Sequence, residues 1–330
     1  MTMAIATSPF QIATFCRHRS YFFPNQPPFR FSSTRNLLTR RLLQTPTARS
    51  AKMFPPVVRA QATSASFTPG IAQTVIQWFQ TSPPTLQSAL ACNVIIFILG
   101  SPILRSGLSL SGIGSAFLLG SLTWRAFGPP GFLIVAAYFI IGTAATKVKM
   151  VQKEAEGVAE KKKGRRGPAS VLGSSAAGCV CAFLSILGIG GKPISHLWVL
   201  GFIASFCTKL SDTVSSEIGK AYGKTTYLVT TFKTVPRGTE GAMSLEGTLA
   251  GLLASVILSS AGCLLGEIKA VEAIICVAAS QFANLGESII GASFQEKEGF
   301  RWLNNDVVNV INITMGSIFA ILIQQFLIKI

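Results

Sequence analysis

The polar side chains that could carry out chemistry are concentrated in three short stretches of an otherwise apolar chain. The first stretch, residues 211–219, contains Asp212 and Glu217 among several hydroxyl residues. Carboxylates of this kind bind Mg²⁺ together with water and phosphate oxygens. On an ideal helix the two residues lie about 140° apart, so both can hold one ion only where the helix ends or unwinds. We predict a metal site at Asp212 and Glu217, with both residues as catalytic candidates.

The second stretch, residues 233–246, combines basic side chains with hydroxyl groups and glycine. Lys233 is followed by Arg237, Gly238 and Thr239. A guanidinium group and backbone amides can converge on one anion. The stretch therefore predicts a loop that binds the phosphates of a cofactor, with Arg237 also close to the reaction. A solvated loop without this role is the alternative, because loops commonly have this composition.

The third stretch lies at the end of one apolar segment and the start of the next, and contains Glu287, Asn305, Asp306 and Asn309. Asn305, Asn309 and Asn312 share one helical face, at spacings of four and three. Buried amides cost free energy unless they are paired, so this face should contact other helices or a wet cavity. We predict Glu287 as a metal ligand and Asp306 as a catalytic residue. Asn305 and Asn309 are predicted to bind the cofactor, with hydrogen bonding between helices as the alternative.

Residues 219–225 are one residue short of a Walker A loop, the phosphate-binding pattern Gly-x4-Gly-Lys-Ser/Thr. Three residues rather than four separate the two glycines, and Ile218 occupies the position that the pattern gives to glycine. No soluble strand is predicted before this stretch, so we reject a P-loop fold. Lys220 and Lys224 remain candidates for contacting cofactor phosphates as single positive charges.

Carboxylates, cations and amides together are the groups that phosphoryl transfer needs, because charge on the moving phosphoryl group must be neutralised. The residues therefore favour a phosphotransferase that uses Mg²⁺ and a nucleoside triphosphate and acts on a membrane lipid phosphate. A transporter or channel for a small anion or metabolite is the alternative, and its polar helix faces should continue to the far side of the membrane. A non-catalytic assembly factor, in which the carboxylates are dispensable, is a third reading.

The elements that position these residues are predicted to be membrane-spanning helices. Charged residues make up 13% of the chain and its mean hydropathy is +0.49, whereas a soluble domain has roughly 25% charged residues. Backbone groups inside a bilayer must be paired within their own element, which favours helices. We predict an all-α polytopic bundle of about seven or eight spans in a membrane-embedded domain at residues 86–330. The candidate spans are residues 86–104, 109–124, 130–146, 171–189, 194–211, 248–266, 270–286 and 307–328.

The charges in the loops indicate which polar stretches share a side of the membrane. The connection at residues 147–166 contains eight Lys or Arg residues, and basic loops stay on the side from which a protein inserts. Counting spans from there places the loops at residues 212–247 and 287–306 on the same side. In a plastid protein, that side is the stroma.

The first sixty residues predict a plastid transit peptide. They carry nine Lys or Arg residues and many hydroxyl residues, and no acidic residue occurs before Glu154, as is typical of such signals. We place the transit peptide at residues 1–60 and a linker at 61–85. Removing these nine from the 29 basic residues leaves 20 against 13 acidic ones, so we expect no nucleic-acid partner. A basic arm that binds nucleic acid is the alternative.

Four motifs, in the same order along the chain, resemble those of one multi-pass membrane family. They are Leu110-Ser111-Gly112, residues 211–219, residues 236–241 and the run Asn305-Asp306-Val307-Val308-Asn309. This family includes the plastid phytyl-phosphate kinase of vitamin E synthesis, and the likeness covers about residues 90–330.

The resemblance implies a reaction, a location and candidate partners. Phytyl phosphate made from salvaged phytol would be converted to phytyl diphosphate, with CTP, ATP or another nucleoside triphosphate as the donor. The product would feed tocopherol and phylloquinone synthesis. The protein would cross a chloroplast membrane several times, with the envelope as the expected membrane and the polar site facing the stroma. Phytol kinase and prenyltransferases would be its candidate partners.

Overall fold

The computed structural model describes Gln77, Phe79, residues 81–295 and residues 297–329. The predicted transit peptide and most of the predicted linker lie outside these residues. The described part is an all-α bundle with one small β-hairpin, as the sequence predicts. Its elements are α1 (Leu86–Leu99), α2 (Ser101–Gly107), α3 (Leu110–Lys147), α4 (Met150–Ala155), α5 (Pro168–Gly173), α6 (Ala176–Ile186), α7 (Gly191–Tyr222), β1 (Thr226–Leu228), β2 (Ala242–Ser244), α8 (Leu245–Leu264), α9 (Ala270–Phe294) and α10 (Asn305–Lys329).

The number of helices that can cross a membrane is lower than predicted. Within the described residues, α3, α7, α8, α9 and α10 are long and apolar enough, and α1 with α2, bent by 79°, makes a sixth if the pair is one span. Two of the predicted spans, 109–124 and 130–146, lie within the single helix α3. A third, 171–189, is divided between α5 and α6, neither of which is long enough to span alone.

Helix α3 turns back on itself at Gly128, whose backbone has the non-helical angles φ 66° and ψ −160°. Gly112 and Gly142 both lie against Arg166: a Cβ on Gly112 would be 2.4 Å from its carbonyl oxygen, and one on Gly142 3.2 Å from its guanidinium group. A straight helix would separate these two glycines by about 45 Å. Residues 110–127 and 129–147 are therefore antiparallel halves, and they coincide with the two predicted spans.

Helix α7 forms the centre of the bundle. Nearly every side chain between residues 197 and 214 is buried, because α3, α6, α8, α9 and α10 all pack around this helix. Glycines on α8 allow the closest approach: a Cβ on Gly247 would lie 2.5 Å from the Ser215 carbonyl oxygen, and one on Gly251 would lie 2.7 Å from that of Ser211. Substituting either glycine would therefore force α7 and α8 apart.

The loops that hold the predicted site residues meet at one end of the bundle, which we call the polar end. Lys153 of α4 forms an ion pair with Glu217, near the end of α7. Gly241, in the loop between β1 and β2, packs so closely on α9 that a Cβ would lie 2.3 Å from the Ala292 backbone nitrogen. The basic loop, the β-hairpin and the end of α9 are thus neighbours. The side of the membrane that this end faces stays a prediction.

Candidate functional site

The structure does not bring Asp212 and Glu217 together as a metal-binding pair. Helix α7 continues without a break from Gly191 to Tyr222, so the two carboxylates point in different directions. Val214 and Ala221 are only 9% and 2% exposed, and continuing the helix to Gly223 keeps these apolar side chains in the bundle. The condition for both residues to hold one ion, an end or unwinding of the helix near Asp212, is therefore not met.

Glu217 belongs to a buried ion pair. Its carboxylate accepts a hydrogen bond from Lys153, and the side chains of Lys153 and Glu217 are 0% and 2% exposed. Lys153 also donates to the Thr146 carbonyl oxygen at 2.8 Å. A buried charge needs such compensation, because an isolated one would carry a large desolvation cost. This arrangement holds α4 against α7 and keeps the Glu217 side chain almost completely buried.

Asp212 instead joins a cluster that we call the Lys209 cluster, made of Lys209, Asp212, Glu287 and Asn309. The Lys209 Nζ donates to Asp212 Oδ2 at 2.5 Å and to Asn309 Oδ1 at 2.5 Å. The Glu287 carboxyl is close enough to Asp212 and Lys209 to interact with both electrostatically. Lys209 is only 7% exposed. One cation thus faces two adjacent carboxylates, supplied by α7 and α9.

An inner polar network connects this cluster to the middle of the bundle. Asn312 donates to Glu287 and, at 3.1 Å, to Asn284 Oδ1. Asn284 and Gln281 donate to Ser211 Oγ at 2.9 and 3.0 Å. The predicted face of Asn309 and Asn312 therefore does contact other helices. Hydrogen bonding between helices accounts for this inner part, since each amide pairs with a neighbouring helix.

Two carboxylates are available to a divalent cation in the Lys209 cluster. In the described residues there is no group of three or more His, Cys, Asp or Glu side chains placed to hold a metal. Mg²⁺ does not need one, because it usually keeps several waters and takes one or two carboxylates plus phosphate oxygens. Asp212 and Glu287 fit that requirement. The amide oxygen of Asn309 accepts a hydrogen bond from Lys209, which also donates to Asp212. Of the three predicted metal ligands, Asp212 and Glu287 are the two that the structure places near each other.

The predicted phosphate-binding residues lie on the surface of the polar end. Arg237 is 3.5 Å from Glu156, and Lys220 is 3.4 Å from Glu160. Gly238 has a positive φ of 82°, and the Thr239 hydroxyl donates to the Pro236 carbonyl oxygen at 2.8 Å. Lys224, Lys233, Gly238 and Thr239 are all exposed. The structure therefore gathers these residues around the β-hairpin loop but does not show them converging on one point.

The hairpin loop nevertheless approaches the Lys209 cluster. Gly241 packs on α9 one turn beyond Glu287, and its φ of 73° suits only glycine there. Glu240, the preceding residue, is close enough to Glu287 for the two carboxylates to repel each other. The loop that carries Arg237 to Thr239 therefore ends next to the two carboxylates of the cluster.

The start of α10 forms the rim of the site. Asn304 caps this helix, because its Oδ1 accepts a hydrogen bond from the Val307 backbone N–H at 3.1 Å. Asn305 is exposed, and Asp306 packs against Gly173, where a Cβ would lie 3.3 Å from the Asp306 Cβ. Asn309, one turn further on, is the residue of this run that reaches the cluster.

Sequence reasoning missed Lys209 and Arg166. A lysine inside an otherwise apolar span is expensive unless it is paired, and this signal marks Lys209 within the predicted span 194–211. Arg166 was predicted only as one charge of a basic loop. In the structure its Nη1 donates to the Tyr138 hydroxyl at 2.7 Å, and Tyr138 in turn is close enough to Lys209 to interact with it electrostatically.

An apolar bundle of helices long enough to cross a membrane defines a polytopic membrane protein, and the Lys209 cluster lies near its polar end. The chain belongs to the integral membrane protein family DUF92, and the match covers residues 93–317. The membership in a multi-pass membrane family that the four motifs predict is thereby confirmed.

Relatives are found in plants, bacteria and archaea. Protein VTE6, chloroplastic, of Arabidopsis thaliana is 71% identical over 270 residues, which are 82% of this chain and 81% of that protein. An uncharacterized membrane protein of Synechocystis is 43% identical, over 75% of this chain and 94% of its own length. One of Methanocaldococcus jannaschii is 33% identical, over 72% of this chain and 95% of its own length. No solved structure matches the chain significantly.

Proposed function

We propose that this protein is a membrane-embedded phosphotransferase that converts phytyl phosphate to phytyl diphosphate with a nucleoside triphosphate as donor. The observation that carries the proposal is the Lys209 cluster, in which a cation, two adjacent carboxylates and an amide meet at the polar end of an apolar bundle. Phosphoryl transfer needs positive and negative groups held close together around phosphate oxygens. A lipid phosphate can reach the cluster from between the helices, and a nucleotide from the exposed loops.

The relatives and the amino-terminal segment support a plastid pathway. Protein VTE6, chloroplastic, is 71% identical to this chain, and the basic, acid-free residues 1–60 are typical of a plastid transit peptide. We therefore infer a role in tocopherol synthesis in a chloroplast membrane, with the envelope as the expected membrane and the polar end towards the stroma. The product would also feed phylloquinone synthesis. Phytol kinase and prenyltransferases, acting before and after this step, are the candidate partners.

The reaction requires the protein to hold charges rather than to remove a proton, because the acceptor is already an anion. A phosphate oxygen of phytyl phosphate attacks the terminal phosphorus of the nucleotide, the bond from that phosphorus to its bridging oxygen breaks, and a nucleoside diphosphate leaves. Asp212 and Glu287 would hold Mg²⁺, which supplies neutralisation of the phosphate charge when bound. Lys209 orients Asp212 and can donate to a phosphate oxygen with its third proton.

The cations for the nucleotide come from the surface of the polar end. Arg237 and Lys220 are held there only by partly exposed ion pairs with Glu156 and Glu160. Pairs of this kind contribute little free energy, so a triphosphate can replace the two carboxylates at small cost. The remaining candidates for contacts to the nucleotide and the rim of the site are Lys224, Lys233, Gly238, Thr239, Asn305 and Asp306.

The proposal is tested by giving purified protein in detergent phytyl phosphate, Mg²⁺ and either ATP or CTP. The wild type should form phytyl diphosphate, and the substitution Asp212→Asn should reduce the rate at least about a hundredfold, as expected when a charge that binds the transferred group is removed. Glu298→Gln, at an exposed position, is the matched control and should leave the rate unchanged. Full activity of folded Asp212→Asn would refute the proposed site.

The alternative of a transporter is less well supported by the described residues. A second polar cluster lies near the opposite end, where Glu272 accepts hydrogen bonds from His196 at 2.5 Å and Gln324 at 3.1 Å. Between it and the Lys209 cluster, α7 presents Leu200, Ile203 and Phe206, each 0% exposed. The two buried hydroxyl residues of this stretch, Ser205 and Thr208, donate to carbonyl oxygens of α7 itself rather than to either cluster. If the wild type formed no diphosphate but moved phytyl phosphate across liposomes, the transporter would be the correct function.

A further inference from the structure

An apolar cavity lies beside the Lys209 cluster and has no part in the site described above. It has a volume of about 220 Å³ and is enclosed by α1, α2, both halves of α3 and α5. Leu104, Leu119, Val135 and Phe139 are among the side chains that form its apolar wall. Its lining on the second half of α3 runs from Phe132 to Ile140, which corresponds to about 12 Å along the helix axis. A cavity of this shape suits a hydrocarbon chain lying parallel to the helices.

Arg166 provides a positive charge at the end of this cavity that is nearest to the polar end. It is the charged residue in the cavity lining, where Ser174 and Tyr138 also lie. Its backbone is fixed by two hydrogen bonds, from its N–H to the Gly107 carbonyl oxygen at 2.9 Å and from the Ser109 N–H to its own carbonyl oxygen at 3.0 Å. Within the ion pairs of the described residues, Arg166 has no carboxylate partner. Its charge is therefore available to an anion.

The Arg166 side chain also connects the cavity to the Lys209 cluster. The space beside Gly142 is bounded by the Arg166 guanidinium, Leu210 and Thr213, with Arg166 3.2 Å and each of the others 3.8 Å from a Cβ placed there. Leu210 directly follows Lys209 in α7, and Thr213 directly follows Asp212. A phosphate held by Arg166 would thus lie next to the carboxylates and the lysine of the cluster.

We propose that this cavity binds the isoprenoid chain of the lipid phosphate and that Arg166 binds its phosphate group. The inference rests on the proposed function for the identity of the lipid, and it assigns the acceptor side of the site. A more open groove on the outer surface, lined by Val94, Ile98 and Phe117, shares Phe97 with the cavity. A chain too long for the cavity continues past Phe97 into this groove and from there into the bilayer.

Binding is measured directly, on the full-length protein in detergent without nucleotide, by native mass spectrometry with phytyl phosphate, phytol and inorganic phosphate as separate probes. Phytyl phosphate should bind more tightly than phytol, and inorganic phosphate alone should not bind detectably. Arg166→Gln should weaken the binding of phytyl phosphate about tenfold or more, as expected for loss of a hydrogen bond between charged groups. The binding of phytol should be unchanged. The assignment of Arg166 would be overturned if the wild type bound inorganic phosphate as tightly as phytyl phosphate. It would also be overturned if Arg166→Gln bound phytyl phosphate as tightly as the wild type does.

The cavity itself is tested with Ala136→Phe, which places a ring into the space that Ala136 now lines. Ala91→Phe makes the same change at an exposed position of α1 and is the matched control. Phytyl phosphate should bind about tenfold more weakly to Ala136→Phe only, since the chain would lose most of its apolar contact. Equal binding by both variants would refute the cavity as the chain site.

A second measurement keeps the inference testable if Ala136→Phe does not fold. A phytyl phosphate analogue with a photoreactive group on its chain should label residues 96–119 and 132–140 of the wild type, and labelling confined to other helices would contradict the inference. Diphosphate formation is scored separately. If phytyl phosphate binds in the cavity but no diphosphate forms, the proposed function is refuted and the inference about the cavity stands. If diphosphate forms at the same rate in Ala136→Phe as in the wild type, the inference is refuted and the proposed function stands.

Discussion

Helix α7 carries two lysine–carboxylate contacts that differ in how their charges are balanced. At Glu217, one carboxylate meets one lysine, and both side chains are almost completely buried. At Asp212, five residues earlier, a single lysine pairs with one carboxylate while a second, Glu287, lies nearby, and the Asp212 side chain is 19% exposed. A balanced, sealed pair can only hold helices together. An unbalanced cluster that solvent can reach is suited to gaining a further positive charge or a phosphate.

The difference follows from what packs around each position. The Lys153–Glu217 pair is covered by α4, which brings its lysine from 64 residues earlier in the chain. The Lys209 cluster is covered by the ends of α9 and α10, which supply Glu287 and Asn309. The hairpin loop approaches it from above with a further carboxylate, Glu240. We therefore expect substitutions at the two positions to affect different quantities, stability at the first and catalysis at the second.

The largest expected effect is on stability, at the sealed pair. Lys153→Met should lower the free energy of unfolding by about 3–5 kcal/mol, because it leaves the Glu217 carboxylate buried without compensation. Thermal unfolding of the purified protein in detergent measures this loss. Lys147→Met, at an exposed position, should change the unfolding temperature very little.

The double substitution Lys153→Met with Glu217→Met decides whether the pair is purely structural. Replacing a buried ion pair by apolar side chains of similar volume is often neutral, so the double variant should regain most of the stability that Lys153→Met loses. It should also retain phosphotransferase activity. A stable but inactive double variant would show that Glu217 has a catalytic role and would remove the distinction between the two positions.

The next effect is on catalysis, at the unbalanced cluster. Glu287→Gln should reduce the rate of diphosphate formation about a hundredfold and raise the Mg²⁺ concentration needed for half-maximal rate. It should not lower the unfolding temperature, because one of the two adjacent negative charges is removed. Initial rates over a Mg²⁺ titration measure both quantities.

Glu272→Gln, on the same helix, is the control for Glu287→Gln. Glu272 is a buried carboxylate that His196 and Gln324 already satisfy near the opposite end of the bundle. Its substitution should lower the unfolding temperature and leave the rate per folded molecule unchanged. If Glu272→Gln stopped the reaction as completely as Glu287→Gln, the site would extend through the bundle, as a transporter requires.

The helices of this fold could be read from the sequence, because each predicted span is a run of apolar residues that the structure also makes helical. The turn between 109–124 and 130–146 was marked by Gly128 followed by two prolines. The predicted span 171–189 is broken in two at Ser174 and Ser175, and a run of apolar residues does not show such a break.

The candidate site could be predicted only in part. The spacing of Asn305, Asn309 and Asn312 indicated a face turned to other helices, which is correct for Asn309 and Asn312, whereas Asn305 is exposed. Lys209, three residues before Asp212, was a local signal that sequence reasoning missed. The other partners, Glu287 for Asp212 and Lys153 for Glu217, come from α9 and α4 and have no local signal. The same holds for Arg166, whose contact with Tyr138 depends on α3 turning back at Gly128.

The smallest effect is expected at a third kind of charge pair, the one between Arg237 and Glu156, whose side chains are 36% and 38% exposed. Solvent screens such a pair, so Arg237→Gln should change the unfolding free energy by less than about 1 kcal/mol. If Arg237 contacts the nucleotide, the same substitution should raise the KM for the nucleoside triphosphate several-fold and leave the KM for phytyl phosphate unchanged, because Arg166 holds the acceptor. Glu156→Gln should have the opposite effect on the nucleotide, a slightly lower KM, since it frees Arg237. If Arg237→Gln has the wild-type KM for both substrates, the hairpin loop is a solvated surface. The nucleotide would then reach the Lys209 cluster by another route.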